Sequence, residues 1–299
     1  MVEYRKIFIT INYECNNNCI NCCNLEEQKT SPLQLSLDGI MNFISQLSIQ
    51  EEDIFTISGG EPTLHPNLYE ITSFLRNNFS NDIVLLSNAH RFNTRDYAEK
   101  ISKNITDIVS TLYGVTDKQH EQITQNGGSF SNLIEGIRIM ESFGIKIHLK
   151  YLFMKHNYKD LPKFIDLAEN TFKNPHLIIN MVDFVGFAKK NFELIAVKHS
   201  TAAPYIEKAL DKTIKYHIPT SIFMPMCLID PYYWNHFPIK YKNIIEESYF
   251  INPMRGMRRA SQYHINNPSF CKSCRLISRC GWPWVEYIKH FGDSELKRI

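Results

Sequence analysis

Strand-like and helix-like stretches alternate through roughly the first 220 residues, and this alternation limits the fold more than any other feature of the sequence. Six runs rich in β-branched residues are each followed by a stretch with apolar residues at helical spacing. The strand-like runs span 4–12, 53–58, 82–87, 107–114, 145–153 and 176–184, and the helical stretches span 36–48, 67–79, 94–103, 131–144, 158–171 and 203–217. Such alternation predicts an α/β fold with a parallel sheet and right-handed crossovers. Six units are too few for a complete eight-fold barrel, so we predict an open, partial (β/α)6 barrel.

The alternation ends near residue 224, and a different composition follows. The segment "PMCLIDPYYWNHFPIKY" is rich in proline and aromatic residues, and three of the eight cysteines lie beyond residue 270. We therefore predict two domains, a barrel over residues 1–224 and a small cysteine-rich appendage over residues 225–299.

Charge and hydropathy indicate a cytoplasmic protein. The formal net charge is +2 and the pI is near 8.0, so the charge balance does not favour a nucleic acid as partner. The N-terminus "MVEYRKIFITINY" does not resemble a secretory signal, and no run of about 18 apolar residues indicates a membrane partner. Thiols stay reduced in the cytoplasm, so clustered cysteines are expected to be metal ligands or catalysts rather than disulfides.

The stretch "YECNNNCINCCN" (13–24) follows the first predicted strand and holds four of the cysteines. Cys15, Cys19 and Cys22 have C-x3-C-x2-C spacing, and Cys23 comes directly after them. Three thiolates on a [4Fe–4S] cluster leave one iron open to a substrate or cofactor. Structural zinc requires a closed set of four ligands, which Cys23 is poorly placed to complete because adjacent residues on an extended chain point in opposite directions.

These three cysteines resemble the CxxxCxxC motif that follows the first strand in the radical SAM superfamily. The resemblance implies that Cys15, Cys19 and Cys22 hold a [4Fe–4S] cluster whose open iron chelates S-adenosylmethionine (SAM). It also implies reductive cleavage of SAM to methionine and a 5′-deoxyadenosyl radical, which abstracts hydrogen from a substrate. In that case the cofactors carry the difficult chemistry, and the protein supplies position and shielding.

The stretch "SGGEP" (58–62) is similar to the GGEP motif of the same superfamily and ends the second predicted strand. Glycine suits a place where the backbone closely approaches a ligand. The resemblance implies that the motif binds the amino group of SAM through Gly59, Gly60, Glu61 and Pro62.

Further matches follow at the ends of the third and fourth predicted strands. In "LLSNA" (85–89), Ser87 and Asn88 are implied to contact the SAM ribose or carboxylate, and in "STLYG" (110–114), Thr111 is implied to contact the carboxylate. Ordinary capping of strand ends is the alternative role for all three residues.

Three residues depart from the superfamily pattern. Many members have an aromatic residue before the third cysteine, where this chain has Asn21, and an Asp where it has Tyr113. Cys23 is either a small packed residue or a thiol that donates a hydrogen atom to a substrate radical. The catalytic residues are therefore not identified, and Cys23 and Tyr113 are the candidates.

A second cysteine group, C-x2-C-x5-C, lies near the end of the sequence. Together with Cys227, it supplies up to four thiolates, which fit either an auxiliary [4Fe–4S] cluster or a structural zinc. The members of this group are Cys271, Cys274 and Cys280. The spacing resembles part of the SPASM and twitch appendages of radical SAM enzymes, which bind auxiliary clusters. A cluster closed by four thiolates is suited to electron transfer.

The resemblance favours an oxidoreductase-like enzyme that crosslinks, oxidises or epimerises a ribosomally made peptide. It implies a reducing donor such as flavodoxin or ferredoxin and, because the first strand begins near residue 4, a separate leader-peptide-binding protein. The alternatives are oxidation or rearrangement of a small molecule such as a sugar, nucleotide or cofactor precursor, then a tRNA base, and lastly a metal- or redox-sensing protein that is not an enzyme.

Overall fold

The computed structural model describes residues 5–24, 36–79, 82–238, 245–252, 256–259, 269–277, 279–280, 283 and 285–299. Its strands form one nine-stranded sheet with the order β7-β6-β5-β4-β3-β2-β1-β8-β9. They are β1 (Arg5–Thr10), β2 (Ile54–Ser58), β3 (Ile83–Leu86), β4 (Asp107–Leu112), β5 (Lys146–Leu152), β6 (His176–Asn180), β7 (Thr220–Phe223), β8 (Ile245–Asn252) and β9 (Gly256–Arg259). Neighbours from β7 to β8 pair in parallel, and β9 pairs with β8 antiparallel.

Helices connect the parallel strands, as expected for right-handed crossovers. They are α1 (Leu37–Ser45), α2 (Leu68–Phe79), α3 (Arg95–Ser102), α4 (Asp117–Thr124), α5 (Ser129–Ser142), α6 (Leu161–Thr171), α7 (Gly186–Lys190), α8 (Phe192–Ile195), α9 (His199–Tyr216) and α10 (Val285–Phe291). Ser36 caps α1 by accepting a hydrogen bond from the Gly39 amide. Among the described residues, no helix has the length and apolar character needed to cross a membrane.

Side chains alternate between two environments along the strands, as β5 illustrates. One set is buried, namely Ile147, Leu149 and Tyr151. The Tyr151 ring lies 4.7 Å from the ring of Phe164 on α6, so this set packs against the helical layer. The other set is half-buried and faces the interior of the barrel. It comprises His148, Lys150 and Leu152.

The register of the parallel strands brings their carboxyl ends to one edge of the sheet. Thr10 pairs with Ser58 between β1 and β2, and Leu152 pairs with Asn180 between β5 and β6. The loops that carry the sequence motifs therefore meet at this edge, where ligands bind in parallel α/β sheets.

The predicted open α/β barrel is confirmed, and all six predicted strands are present with shorter bounds. The prediction that 176–184 is the last strand is wrong, because β7 follows α9, and β8 and β9 extend the sheet beyond β1. The sequence does not predict β7, because this strand has four residues, of which Ile222 alone is buried. It does not predict α4 either, because the sequence of this helix, "DKQHEQIT", is mostly polar. The predicted domain boundary at residue 224 stays a prediction, although β8 pairs directly with β1 of the barrel.

Candidate functional site

The cysteine loop, which we define as residues 13–24, leaves β1 at the carboxyl edge of the sheet and is held on one side by α4. The Asn18 amide donates to the Thr124 carbonyl at 2.9 Å, and the Ile20 amide donates to the Ile123 carbonyl at 3.0 Å. These carbonyls belong to the last turn of α4, where helical acceptors have no partner within the helix. A helix that sequence reasoning missed therefore fixes the middle of the loop.

The segment after β6 holds the other side of the cysteine loop. The Ala188 amide donates to the Cys22 carbonyl at 3.1 Å. Gly186 has φ +54°, and a Cβ added there would lie 2.5 Å from the Cys23 carbonyl oxygen and 2.3 Å from that of Asn24. A larger residue at this position would therefore displace the part of the loop that carries Cys22.

Within the loop, the three motif cysteines have half-buried side chains. The Asn17 amide donates to Cys15 Sγ at 3.4 Å, and the Cys22 amide donates to the Cys19 carbonyl at 3.3 Å. Among the described residues, no three His, Cys, Asp or Glu side chains converge on a single metal ion. Thiolates that each bind a different iron of a cluster do not need such convergence. The all-thiol donor set therefore fits a [4Fe–4S] cluster.

The glycine pair of "SGGEP" packs directly against the start of the cysteine loop. A Cβ added at Gly59 would lie 2.2 Å from Asn12 Oδ1, and one added at Gly60 would lie 2.3 Å from the carbonyl oxygens of Tyr13 and Glu14. The Gly60 amide also donates to the Asn12 carbonyl at 2.9 Å. The absence of side chains at Gly59 and Gly60 therefore lets the backbone at the end of β2 lie in direct contact with the backbone of the cysteine loop.

Glu61 is a buried carboxylate that connects the ends of β2 and β3. Its Oε1 accepts hydrogen bonds from the Thr63 amide (3.0 Å), the Thr63 hydroxyl (2.7 Å) and the Ser87 hydroxyl (2.7 Å), and its Oε2 accepts one from the Asn88 amide (2.7 Å). Burial raises the pKa of Glu61, whereas these hydrogen bonds act in the opposite direction. The side chain is 1% exposed and its hydrogen bonds fix the loop after β3, while the predicted contact of Glu61 with the amino group of SAM stays a prediction.

The remaining predicted SAM contacts lie near the same place. The Ser87 hydroxyl also accepts from the Ala89 amide at 3.0 Å, and Asn88 Nδ2 donates to Asn16 Oδ1 of the cysteine loop at 2.6 Å. Thr111 on β4 pairs with Lys150 on β5, and both alternate toward the barrel interior. Pro62 is buried at the first position of a short 3₁₀ turn. Their contacts with SAM stay predictions.

An aromatic side chain reaches the cysteine loop from the end of β4 rather than from position 21. Burial raises the pKa of Tyr113 well above its usual range, the nearby thiols of Cys19 and Cys22 raise it further, and a hydrogen bond with Asn21 lowers it. The Tyr113 amide donates to Nδ1 of His120 at 3.3 Å. The ring of Tyr113 therefore lies beside the residue at which many superfamily members carry their own aromatic side chain.

Sequence reasoning missed two charged residues near Cys23, Lys150 on β5 and Asp183 after β6. Burial lowers the pKa of Lys150, and the charges of Asp183 and Cys23 raise it. Burial also raises the pKa of Cys23 to about 12, and the charges of Cys22 and Asp183 act in the same direction, although the side chain is exposed. The signal in the sequence that could have identified Lys150 was the alternation of side chains along β5, which directs this lysine toward the barrel interior.

The second group of cysteines is brought together by the fold. One pocket is lined by all four thiols, those of Cys227, Cys271, Cys274 and Cys280. Its other walls are mainly apolar and include Pro225, Leu276, Ile277, Pro283 and Leu296. Burial, together with a smaller contribution from the neighbouring thiols, raises the pKa of the Cys280 thiol to about 11. Four thiols that line one pocket without converging on a single ion fit a closed cluster better than a zinc ion, and the identity of the metal stays a prediction.

The sequence model of the Radical SAM superfamily matches residues 9–168, which include the end of β1, the cysteine loop and strands β2 to β5. The chain therefore belongs to the radical SAM superfamily. It is a radical SAM enzyme with a cysteine-rich C-terminal region, and enzymes of this superfamily use a [4Fe–4S] cluster together with SAM.

Curated relatives of the chain carry the names of small-molecule enzymes. The Fe-coproporphyrin III synthase of Methanosarcina barkeri is 23% identical over 205 residues, which are 68% of this chain and 50% of the synthase. A probable GTP 3',8-cyclase of Saccharolobus islandicus is 26% identical over 220 residues, which are 73% of this chain and 68% of the cyclase. The chain thus matches about half the length of the synthase.

Solved structures with the same fold include peptide complexes. Streptococcus suis SuiB bound to its precursor peptide SuiA aligns with a TM-score of 0.67 at 13% identity, covering 98% of this chain and 74% of SuiB. The enzyme anSMEcpe with bound AdoMet and Kp18Cys peptide aligns with a TM-score of 0.63 at 11% identity, covering 93% of this chain and 88% of that protein. At these identities the likeness concerns the fold alone.

Proposed function

We propose that this enzyme abstracts hydrogen from a ribosomally made peptide, which it then crosslinks, oxidises or epimerises. The observation that carries the proposal is the extent of the structural likeness to SuiB, which covers 98% of this chain and therefore includes its cysteine-rich C-terminal region. SuiB was solved with a precursor peptide, and anSMEcpe was solved with a peptide and AdoMet. The proposed electron donor is a flavodoxin or ferredoxin.

In this proposal the carboxyl edge of the barrel is the cofactor site. Cys15, Cys19 and Cys22 bind the cluster, while Gly59–Pro62, Ser87, Asn88 and Thr111 surround SAM. When bound, the two cofactors supply a 5′-deoxyadenosyl radical. The carboxylate of Glu61 keeps the ends of β2 and β3 in register through its four hydrogen bonds.

The barrel interior next to this edge would hold the reacting part of the substrate. Lys150 and Asp183 present opposite charges there, and burial strengthens interactions with an ionic or polar group. Cys23 faces the same space and is the candidate hydrogen-atom donor, while Tyr113 shields the cysteine loop.

The four-cysteine pocket would hold an auxiliary [4Fe–4S] cluster. With all four thiolates as ligands, no iron is left for a substrate, so this cluster would transfer electrons rather than bind the peptide. Its mainly apolar walls support the same role because they offer few polar groups to a substrate.

The decisive experiment uses anaerobically reconstituted enzyme with SAM, a reductant and peptides whose α- and β-carbons carry deuterium. Peptides from short open reading frames adjacent to the gene are the first substrates. Deuterium in 5′-deoxyadenosine, together with a mass change in the same peptide, is the expected result. SAM cleavage at the level of the peptide-free blank, with no peptide mass change for any of them, would refute a peptide substrate.

A small-molecule substrate is the second candidate, and the match to a probable GTP 3',8-cyclase over 73% of the chain favours it. The same assay with GTP replacing the peptides tests it directly. If GTP stimulates the formation of 5′-deoxyadenosine and the peptides do not, the substrate is a nucleotide and the reaction is a nucleotide rearrangement.

A further inference from the structure

The last residues of the chain form one wall of the four-cysteine pocket. This segment, residues 293–299, is called the tail below, and its members Leu296 and Lys297 line the pocket beside the four thiols. The Lys297 amide donates a hydrogen bond to Cys227 Sγ at 3.4 Å. The Arg275 amide, from the loop that carries Cys274, donates to the Ile299 carbonyl at 3.2 Å. The tail therefore contacts both separate stretches of chain that supply the cysteines.

A buried polar anchor ties the tail to the barrel. The hydroxyl of Tyr287 on α10, which is 0% exposed, donates to Glu295 of the tail. The same hydroxyl accepts from the His199 amide at 2.8 Å, and Glu295 Oε2 accepts from the Ser200 amide at 3.1 Å. The His199 ring also stacks on the Tyr287 ring with centroids 4.0 Å apart. Glu295 thus accepts a hydrogen bond from the first turn of α9. This hydrogen bond limits the movement of the tail at a position two residues before Lys297.

An amide that donates to a ligand sulfur changes the energetics of a cluster. The hydrogen bond withdraws electron density from the thiolate and so stabilises the reduced cluster, which carries one more negative charge. Hydrogen bonds to sulfur and exclusion of solvent are the principal means by which proteins set cluster potentials. The pocket provides the first of these, the hydrogen bond from the Lys297 amide to Cys227 Sγ, and Leu296, which is 8% exposed, adjoins that amide.

We infer that the Lys297 amide raises the reduction potential of the auxiliary cluster and that the anchor of Tyr287 and Glu295 holds this amide in position. Lys297 is accordingly a positioning residue that acts through its backbone, and no role is assigned to its side chain. The inference rests on the proposed function in one respect, since it requires that the four cysteines bind an iron–sulfur cluster.

The test is a redox titration monitored by electron paramagnetic resonance. It uses full-length protein in which Cys15, Cys19 and Cys22 are changed to alanine, so that a single cluster gives the signal. Lys297→Pro removes the amide hydrogen, Lys297→Ala retains it, and Arg298→Pro places a proline in the same tail one residue later. We expect a lower midpoint potential for Lys297→Pro and an unchanged one for the other two. Equal potentials in all variants at equal iron content, or equal shifts for both prolines, would overturn the inference.

Tyr287→Phe, which removes the anchoring hydroxyl without changing a charge, is the second variant, and it decides the matter if Lys297→Pro fails to load a cluster. It weakens the anchor and leaves the Lys297 amide in the chain, so we expect a lower potential with iron content retained. No shift would contradict the role of the anchor. Zinc in place of iron in the wild-type pocket would overturn the inference, while deuterium transfer from peptides in the separate assay would leave the peptide-modifying function standing.

Discussion

The two cysteine sites of this enzyme are built in opposite ways. In the cysteine loop, three ligands lie within eight consecutive residues, and the loop is fixed by backbone hydrogen bonds to α4 and α7 at the edge of a parallel sheet. In the C-terminal pocket, Cys227 follows β7, the other three cysteines lie between 271 and 280, and the tail adds a wall. Local spacing defines the first site, whereas tertiary contacts assemble the second.

This difference corresponds to a difference in chemistry. A three-cysteine loop leaves one iron accessible, and the neighbouring barrel interior contains charged groups that can receive ligands. In the proposed function the four-cysteine pocket leaves no iron accessible, and its walls are mainly apolar apart from Lys297. The first site is thus suited to binding SAM and the second to holding an electron.

The largest effect is expected from changing Cys15, Cys19 and Cys22 together to Ala. SAM cleavage should disappear, and iron per chain should fall from about eight to about four, because one of two [4Fe–4S] clusters is lost. Iron and sulfide analysis after anaerobic reconstitution measures this. Cys23→Ala is the matched control and should retain about eight irons, and a loss of iron equal to that of the triple variant would assign Cys23 as a ligand.

Cys227→Ala should separate the two sites functionally. SAM cleavage in the absence of substrate should persist, because the cysteine loop is unchanged, whereas conversion of the substrate to product should be lost with the closed cluster. Parallel measurement of 5′-deoxyadenosine and product mass distinguishes the two outcomes. Normal product yield from this variant would remove the proposed electron-transfer role of the pocket.

Lys150→Met should weaken binding within the barrel without affecting the C-terminal pocket. A hydrogen bond to a charged group contributes about 1.5–3 kcal/mol, so affinity for the ionic ligand should fall roughly 10- to 100-fold. Calorimetry with SAM and KM measurements with substrate identify which ligand is affected. Lys146→Met, on the exposed end of the same strand, is the control, and equal behaviour of the two variants would exclude a ligand contact for Lys150.

Glu61→Gln should destabilise the barrel by about 1–3 kcal/mol, since an amide nitrogen would replace an acceptor that meets buried donors. Urea unfolding measures the change in free energy. Glu70→Gln, at an exposed position in the first turn of α2, should change it by at most about 0.5 kcal/mol. Similar values for both variants would show that the hydrogen bonds of Glu61 contribute little.

The last prediction concerns pH and the buried His120. Burial and the charge of His90 lower the pKa of His120 to about 4, so the unfolded chain binds more protons than the folded chain between about pH 6.5 and pH 4. The contribution of His120 to the free energy of unfolding is fully present above pH 6.5 and is lost as the pH falls toward 4. The free energy of unfolding then decreases by at most about 1.4 kcal/mol per pH unit. His120→Gln should flatten the profile in this window, and identical slopes for the two proteins would refute the assignment.

Sequence patterns predicted the position of the cysteine loop in the fold because its determinants are local. The strand–helix alternation predicted β1 to β6, and the cysteine, "SGGEP", "LLSNA" and "STLYG" stretches fall at the carboxyl edge as expected. The patterns failed where an element is short or polar. β7 has four residues, and α4 has few apolar side chains although it anchors the cysteine loop.

The remaining features depend on contacts between distant parts of the chain. The approach of Tyr113 to Asn21, and that of Lys150 and Asp183 to Cys23, join residues far apart in sequence. The tail is a stronger example, since nothing in "GDSELKRI" indicates an amide directed at Cys227. These contacts depend on the register of the strands and on the docking of α10. Patterns in a single sequence do not contain that information.

The position of β1 has a consequence for how the chain matures during synthesis. One edge of β1 pairs with β2, which is translated soon after it, but the other edge pairs with β8, where Arg5 meets Ile245. That second edge stays without its partner until β8 has left the ribosome, and an uncovered strand edge can recruit other chains. The two edges of the strand that leads into the cysteine loop are therefore paired at well-separated stages of translation.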